Sequence, residues 1–87
     1  MAIRVRTEEQ RVADDKFLRE FGGRLRRIRE IRGIAQGEFS RMLGCSQTFM
    51  SLVESGKSQL SLCLFREACR ILKIDANYLL GRKRMKK

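Results

Sequence analysis

Apolar side chains recur along the chain at helical spacing. Phe17, Phe21, Leu25, Ile28 and Ile31 follow at steps of four, four, three and three, one face of an α-helix. Arg24, Arg26, Arg27, Arg29 and Arg32 fill most positions between them. Asp14 or Asp15 caps the start of this helix and Gly33 supplies its stop. Thr7-Glu8-Glu9-Gln10 matches a capping box, so a start near Thr7 is the alternative. Gly22-Gly23 inside the segment costs about 1 kcal/mol per residue against alanine. That cost predicts close packing there, or a helix that begins nearer Gly22.

Four shorter helices follow. Gln36 to Leu43 places Phe39 and Leu43 four apart, and Gly44 ends it in the left-handed conformation that glycine adopts freely. Ser46 caps a third helix from Gln47 to about Ser55, stopped by Gly56. Ser61 caps a fourth, with Leu62, Phe65, Ala68, Cys69 and Leu72 on one side. Asp75 caps a last helix that carries Leu79 and Leu80 and ends at Gly81. The only hint of a strand is Ile3 and Val5 alternating with Arg4 and Arg6. The expected fold is all-α, with residues 1–14 a basic and partly helical arm, 15–81 the domain and 82–87 a basic tail with no reason to fold.

Charge changes the picture. The 87 residues carry a formal charge of +10, with 20 Lys and Arg against 10 Asp and Glu, which calls for a polyanionic partner. Residues 33–60 sum to zero, with Arg41 and Lys57 against Glu38 and Glu54, so the excess lies on the two flanks. Nucleic acid leads as partner and an anionic membrane surface is second, although the tail lacks apolar anchors. With no histidine and no phosphate-cradling loop, an enzyme is not expected. Cys45, Cys63 and Cys69 fit neither a disulfide framework nor a zinc site, so no metal or cofactor is expected and the thiols point to the cytoplasm. No signal peptide and no membrane-spanning run is expected.

Two short helices joined by a glycine turn have the geometry of a helix-turn-helix. Phe39, Leu43, Cys45, Met50 and Val53 are spaced to share one core, with small Ser40 at the closest approach. Ser46, Gln47, Thr48, Phe49, Ser51, Leu52 and Ser55 remain outward on the third helix. From about Phe21 to Gly81 the chain resembles the lambda-repressor-like helix-turn-helix domains of the Cro and Xre type. The resemblance rests on Phe21-Gly22-x-Arg24-Leu25-Arg26-x-x-Arg29-Glu30, Gly33-Ile34-x-Gln36, Leu43-Gly44, Glu54-x-Gly56-Lys57 and Asn77-Tyr78-Leu79-Leu80-Gly81. It implies a compact five-helix bundle whose third helix enters the DNA major groove, usually in a two-fold dimer.

Carried onto this chain, the resemblance assigns base reading to Ser46, Gln47, Thr48 and Phe49. Gln47 suits adenine, whose N6 and N7 a side-chain amide bonds together. Phosphate contact falls to Gln36, Ser51, Lys57, Ser58 and, weakly, Arg41. Arg29 and Glu54 resemble the family's internal ion pair. Ala35 departs from the usual Ser or Thr, removing a cap worth around 1 kcal/mol, and with Gly37 it predicts a weakly held second helix. For Phe49, contact with thymine methyl groups and packing are both open; for Leu52, packing is favoured. Arg4 and Arg6 are candidates for a minor groove.

The expected function is sequence-specific transcription regulation by a small cytoplasmic repressor bound to double-stranded DNA, with no small-molecule ligand. A homodimer is expected, joined through the arm or through Leu64, Ile71 and Tyr78, because the chain has no room for a second domain. The alternative is an antitoxin-like protein-binding module, motivated by an outward Phe49 and Leu52.

Overall fold

A computed structural model describes residues 5–84, so the expectations placed on Arg4 and on residues 85–87 lie outside the described residues. Five helices follow in order: α1 Glu8–Ile31, α2 Gln36–Leu43, α3 Gln47–Glu54, α4 Leu62–Leu72 and α5 Ala76–Leu79. The described residues contain no strand.

The start of α1 is the one that its capping box encodes. Thr7 accepts from the Gln10 N–H, and the Gln10 side chain accepts from the Thr7 N–H at 2.8 Å. The helix therefore begins before Asp14 and Asp15 and runs for 24 residues, about 36 Å at 1.5 Å per residue. Ser46, Ser61 and Asp75 each cap the helix that follows through a side-chain oxygen, whereas Ala35 gives α2 no such bond. The Asp75 carboxylate is held below its ordinary range by the Asn77 N–H first and by Lys83 second. Its contribution is complete above the ordinary carboxylate pKa and is lost as pH falls through the lowered one.

Phe21, Leu25, Ile28, Phe39, Leu43, Met50, Val53, Ala68, Leu72, Tyr78 and Leu79 form one buried cluster to which every helix contributes. Four expectations need correction. Ile31, the last residue of α1, is 50% exposed and stands outside the buried cluster. Leu62 opens α4 and is 81% exposed, because the apolar stripe of that helix meets the core only from Leu64 onward. Tyr78, expected at a dimer contact, is buried in its own core, whereas Leu64 and Ile71 are only partly buried and keep exposed surface. The C-terminal run is tied down at its start: the Arg82 N–H donates to the Asn77 carbonyl at 2.8 Å, and Lys83 pairs with Asp75 at 3.2 Å.

Two arginines, one on α1 and one just past its end, tie the first helix to the ends of α5 and α4. Arg24 Nε donates to the Leu79 carbonyl at 3.0 Å, at the end of α5. Arg32 Nε donates to the Leu72 carbonyl at 2.7 Å, at the end of α4, and its Nη2 to the Lys73 carbonyl at 3.3 Å. The last carbonyls of a helix have no partner inside it and carry its negative partial charge, so a cation there satisfies both. Cys45 and Cys69 are half-buried, and burial pushes both thiols up, with the Asp75 charge adding to the effect at Cys69. Cys63 is exposed.

Candidate nucleic-acid interface

The turn between α2 and α3 is set by Gly44, whose φ of 82° lies in the left-handed region. Its N–H and that of Cys45 return to the Ser40 carbonyl at 2.9 and 3.0 Å, closing α2 as the chain reverses. Ser46 then starts α3, its hydroxyl accepting from the Phe49 N–H at 3.0 Å. This leaves an exposed polar edge. Gln36, Gln47, Thr48, Ser51 and Leu52 line a shallow open groove of about 380 Å³.

A chain of hydrogen bonds connects that edge to the core. Arg29 Nε and Nη2 donate to Glu54 Oε2 and Oε1 at 2.7 and 3.0 Å, and Arg29 Nη1 donates to the Ile34 carbonyl at 2.7 Å. Both side chains are almost wholly buried, 8% and 4% exposed. The Glu54 hydrogen bond raises the Arg29 pKa above its ordinary value against the opposing effect of burial, with the charges of Glu54 and Glu30 adding to the rise. Gln36 Nε2 also donates to Glu54 Oε1, at 3.0 Å, and Gln47 Nε2 donates to Gln36 Oε1 at 3.3 Å. Gln47 keeps one N–H and its carbonyl oxygen unused by this chain, the two groups that a bidentate contact with adenine requires.

The predicted site residues fall into distinct places. Gln36, Gln47, Thr48 and Ser51 converge on the groove, with Ser46 at its leading end. Leu52, for which packing was favoured, is 40% exposed and lines the groove. Phe49, expected outward, is half-buried against the core, because it stands four residues from Val53 on the covered side of α3. Arg41 is exposed near the groove, while Lys57 and the half-buried Ser58 lie in the loop after α3, outside the groove lining. Arg6 is paired with Asp14 at 2.8 Å.

Gly37 has a part that its low helix propensity conceals. A Cβ there would stand 3.0 Å from Gln47 Oε1 and 3.7 Å from an Arg41 nitrogen. Its missing side chain is the space that the Gln47 amide occupies. Gly37→Ala should therefore stabilise α2 by about 0.5–1 kcal/mol while it displaces the flexible end of Gln47. A higher melting temperature together with weaker discrimination among DNA sequences is the expected outcome; unchanged discrimination would count against it.

The fold and this edge define a helix-turn-helix module. Residues 20–78 match the family described as "Helix-turn-helix domain", and the chain belongs to that family. Among solved structures, the chain is similar to the restriction-modification controller protein C.AhdI from Aeromonas hydrophila. They share 28% identity over 75% of this chain and 94% of that one, with a TM-score of 0.69. The clp gene regulator ClgR from Corynebacterium glutamicum is 27% identical over 75% of this chain and 70% of its own, with a TM-score of 0.68. A hypothetical transcription factor, NHTF from Neisseria, is 27% identical over 76% and 77%, with a TM-score of 0.66. A comparison with curated protein sequences gives no match. Among the described residues, no helix is long and apolar enough to cross a membrane.

Proposed function

We propose that this helix-turn-helix transcription regulator is a sequence-specific repressor that binds double-stranded DNA as a homodimer and reads the major groove with α3. The observation that carries the reading is the bond chain from buried Arg29 and Glu54 through Gln36 to the exposed Gln47 amide. Base readout needs a side chain whose position is fixed before the duplex arrives, and Gln47 is the residue of α3 so held, through Gln36. Ser46 and Thr48 flank it at the leading end of α3. Ser51, Gln36, Arg41, Lys57 and Ser58 are assigned to the sugar–phosphate backbone, which sets register without reading sequence. The similar regulators support the class, and a dimer requires half-sites about 34 Å apart. The protein-module alternative is weakened because Phe49 packs inward, which leaves Leu52 alone of the pair that motivated it.

Selection of bound duplexes from a random pool should return a palindrome. Gln47→Ala should cost about 1–3 kcal/mol of preference at one position of each half-site. If 6–10 phosphates are contacted, affinity should fall roughly 10³–10⁵-fold between 50 and 200 mM salt. A pool that yields no preferred sequence, or a Gln47→Ala protein with unaltered preference, would refute base reading by α3.

A further inference from the structure

Most of the chain's charge is not where the reading edge is. The segment 33–60, which contains that edge, sums to zero, so the excess of +10 comes from the flanks. The fold collects a large part of it on another face. Arg24 and Arg27 of α1, together with Arg82, Lys83 and Arg84, line an open cleft of about 640 Å³ beside Tyr78. Tyr78, Lys83 and Arg84 continue it into a second recess of about 320 Å³ that adds Arg32 and Lys73. Across this trough seven cations face one carboxylate, Asp75.

Its position follows from the geometry of α1, which turns roughly 100° per residue. Gly22 and Arg29, seven residues apart, both face α3: a Cβ on Gly22 would meet the Val53 and Glu54 carbonyls, and Arg29 pairs with Glu54. Arg24 and Arg27 point about half a turn away from them. The trough and the α3 groove share no lining residue.

The trough is also built into the fold. Arg24, Arg32 and Lys83 are fixed by their bonds to the Leu79 and Leu72 carbonyls and to Asp75, and the backbone at Arg82 is fixed by Asn77. The side chains of Arg27, Arg82 and Arg84 make no hydrogen bond or ion pair among the described residues. Converging like charges raise the local potential and attract an anion that neutralises several at once. Guanidinium groups match phosphate oxygens in pairs, and an open trough suits a polymer that runs along it. Apart from Ile74 and Tyr78 the lining has no apolar anchor, which disfavours lipid. A second copy would present the same charges and be repelled.

We propose that this trough is a second nucleic-acid site, gripping the phosphodiester backbone of a duplex other than the one read by α3. One molecule then joins two duplex segments, one chosen by sequence and one held by charge alone.

The test uses the full chain with Arg27→Glu/Arg84→Glu, two exposed side chains that make no hydrogen bond or ion pair among the described residues, and confirms folding by its melting temperature. An immobilised duplex saturated with protein is offered a labelled random duplex at about 50 mM salt. Wild-type protein should capture the second duplex. The double variant should lose roughly tenfold or more of that capture, and the slope of log capture against log salt should flatten by about two. Its preference between selected and random sequences should not change. Gln47→Ala should show the reverse, with preference weakened at one position of each half-site and capture intact, so failure of the trough and failure of base reading are separate results. Undiminished capture by the double variant would overturn the proposal, since bridging would then come from two α3 edges of a dimer. Loss of selective binding along with capture would also overturn it, by placing both surfaces on one duplex. So would displacement of the random duplex by phosphatidylserine vesicles at lower phosphate concentration, which assigns the trough to a membrane surface.

Discussion

Glu54→Ala should destabilise the domain by about 3–5 kcal/mol, the usual result of removing one partner of a buried ion pair. At roughly 0.05–0.15 kcal/mol per residue, an 87-residue chain has only about 4–13 kcal/mol to lose. The variant should therefore be largely unfolded at physiological temperature or close to it. The size of the effect comes from what is left behind. Arg29 would remain 6% exposed with only the Ile34 carbonyl as acceptor, and the Gln36 amide would lose its own acceptor. The double variant Arg29→Met/Glu54→Leu should recover much of the stability, because no charge is then stranded. Its DNA preference should stay impaired, since Gln36 still has nothing to hold it and Gln47 leans on Gln36. Urea denaturation measures the first effect and duplex selection the second. A Glu54→Ala midpoint shift worth less than about 1 kcal/mol, the range of exposed pairs, would show that the pair is not buried in solution.

Much of the fold was legible because four of the five helices carry a capping side chain at their start, α2 being the exception. Ser46, Ser61 and Asp75 cap as their chemistry requires, and the reversal at Gly44 depends on that residue alone. The sequence was ambiguous where two local signals compete. Two candidate starts for α1 exist, and the capping box at Thr7 prevails because it satisfies donors in both directions. What periodicity cannot give is how far a neighbour extends, so Ile31 and Leu62 continue apolar stripes beyond their cover. At the site, the family frame assigns Gln36 and Gln47 their places, but the link from Glu54 to Gln36 spans 18 residues and leaves no local pattern. Charge was the least legible quantity. An arginine bound to a helix-end carbonyl and one free to meet phosphate are identical as letters, and Arg24 and Arg32 proved to be fasteners.

Gly22 and Gly23 are adjacent, equally poor helix formers, and should respond to alanine with opposite signs. At Gly23 a Cβ would meet nothing within 4 Å, so Gly23→Ala should gain the propensity difference of about 1 kcal/mol. At Gly22 it would run into the Val53 carbonyl oxygen and stand 2.6 and 2.8 Å from the Glu54 carbonyl oxygen and carbon. These are backbone atoms of the last turn of α3. They cannot rotate aside as a side-chain end can, so α3 must move away from α1. Overpacking typically costs 1–3 kcal/mol and occasionally more, and relief by backbone movement alone places Gly22→Ala toward the upper end of about that range. The displaced turn carries Glu54, so the bond to Arg29 and the support of Gln36 go with it, and DNA preference should weaken in parallel with stability. Gly56, where a Cβ would stand 2.7 Å from the Arg19 Cα, belongs to the same close seam between α1 and the end of α3. Thermal melts of the two single variants side by side give the answer. If both gain stability, the helices do not approach as closely as the structure has them, and the positioning of the reading edge by the core fails with that contact.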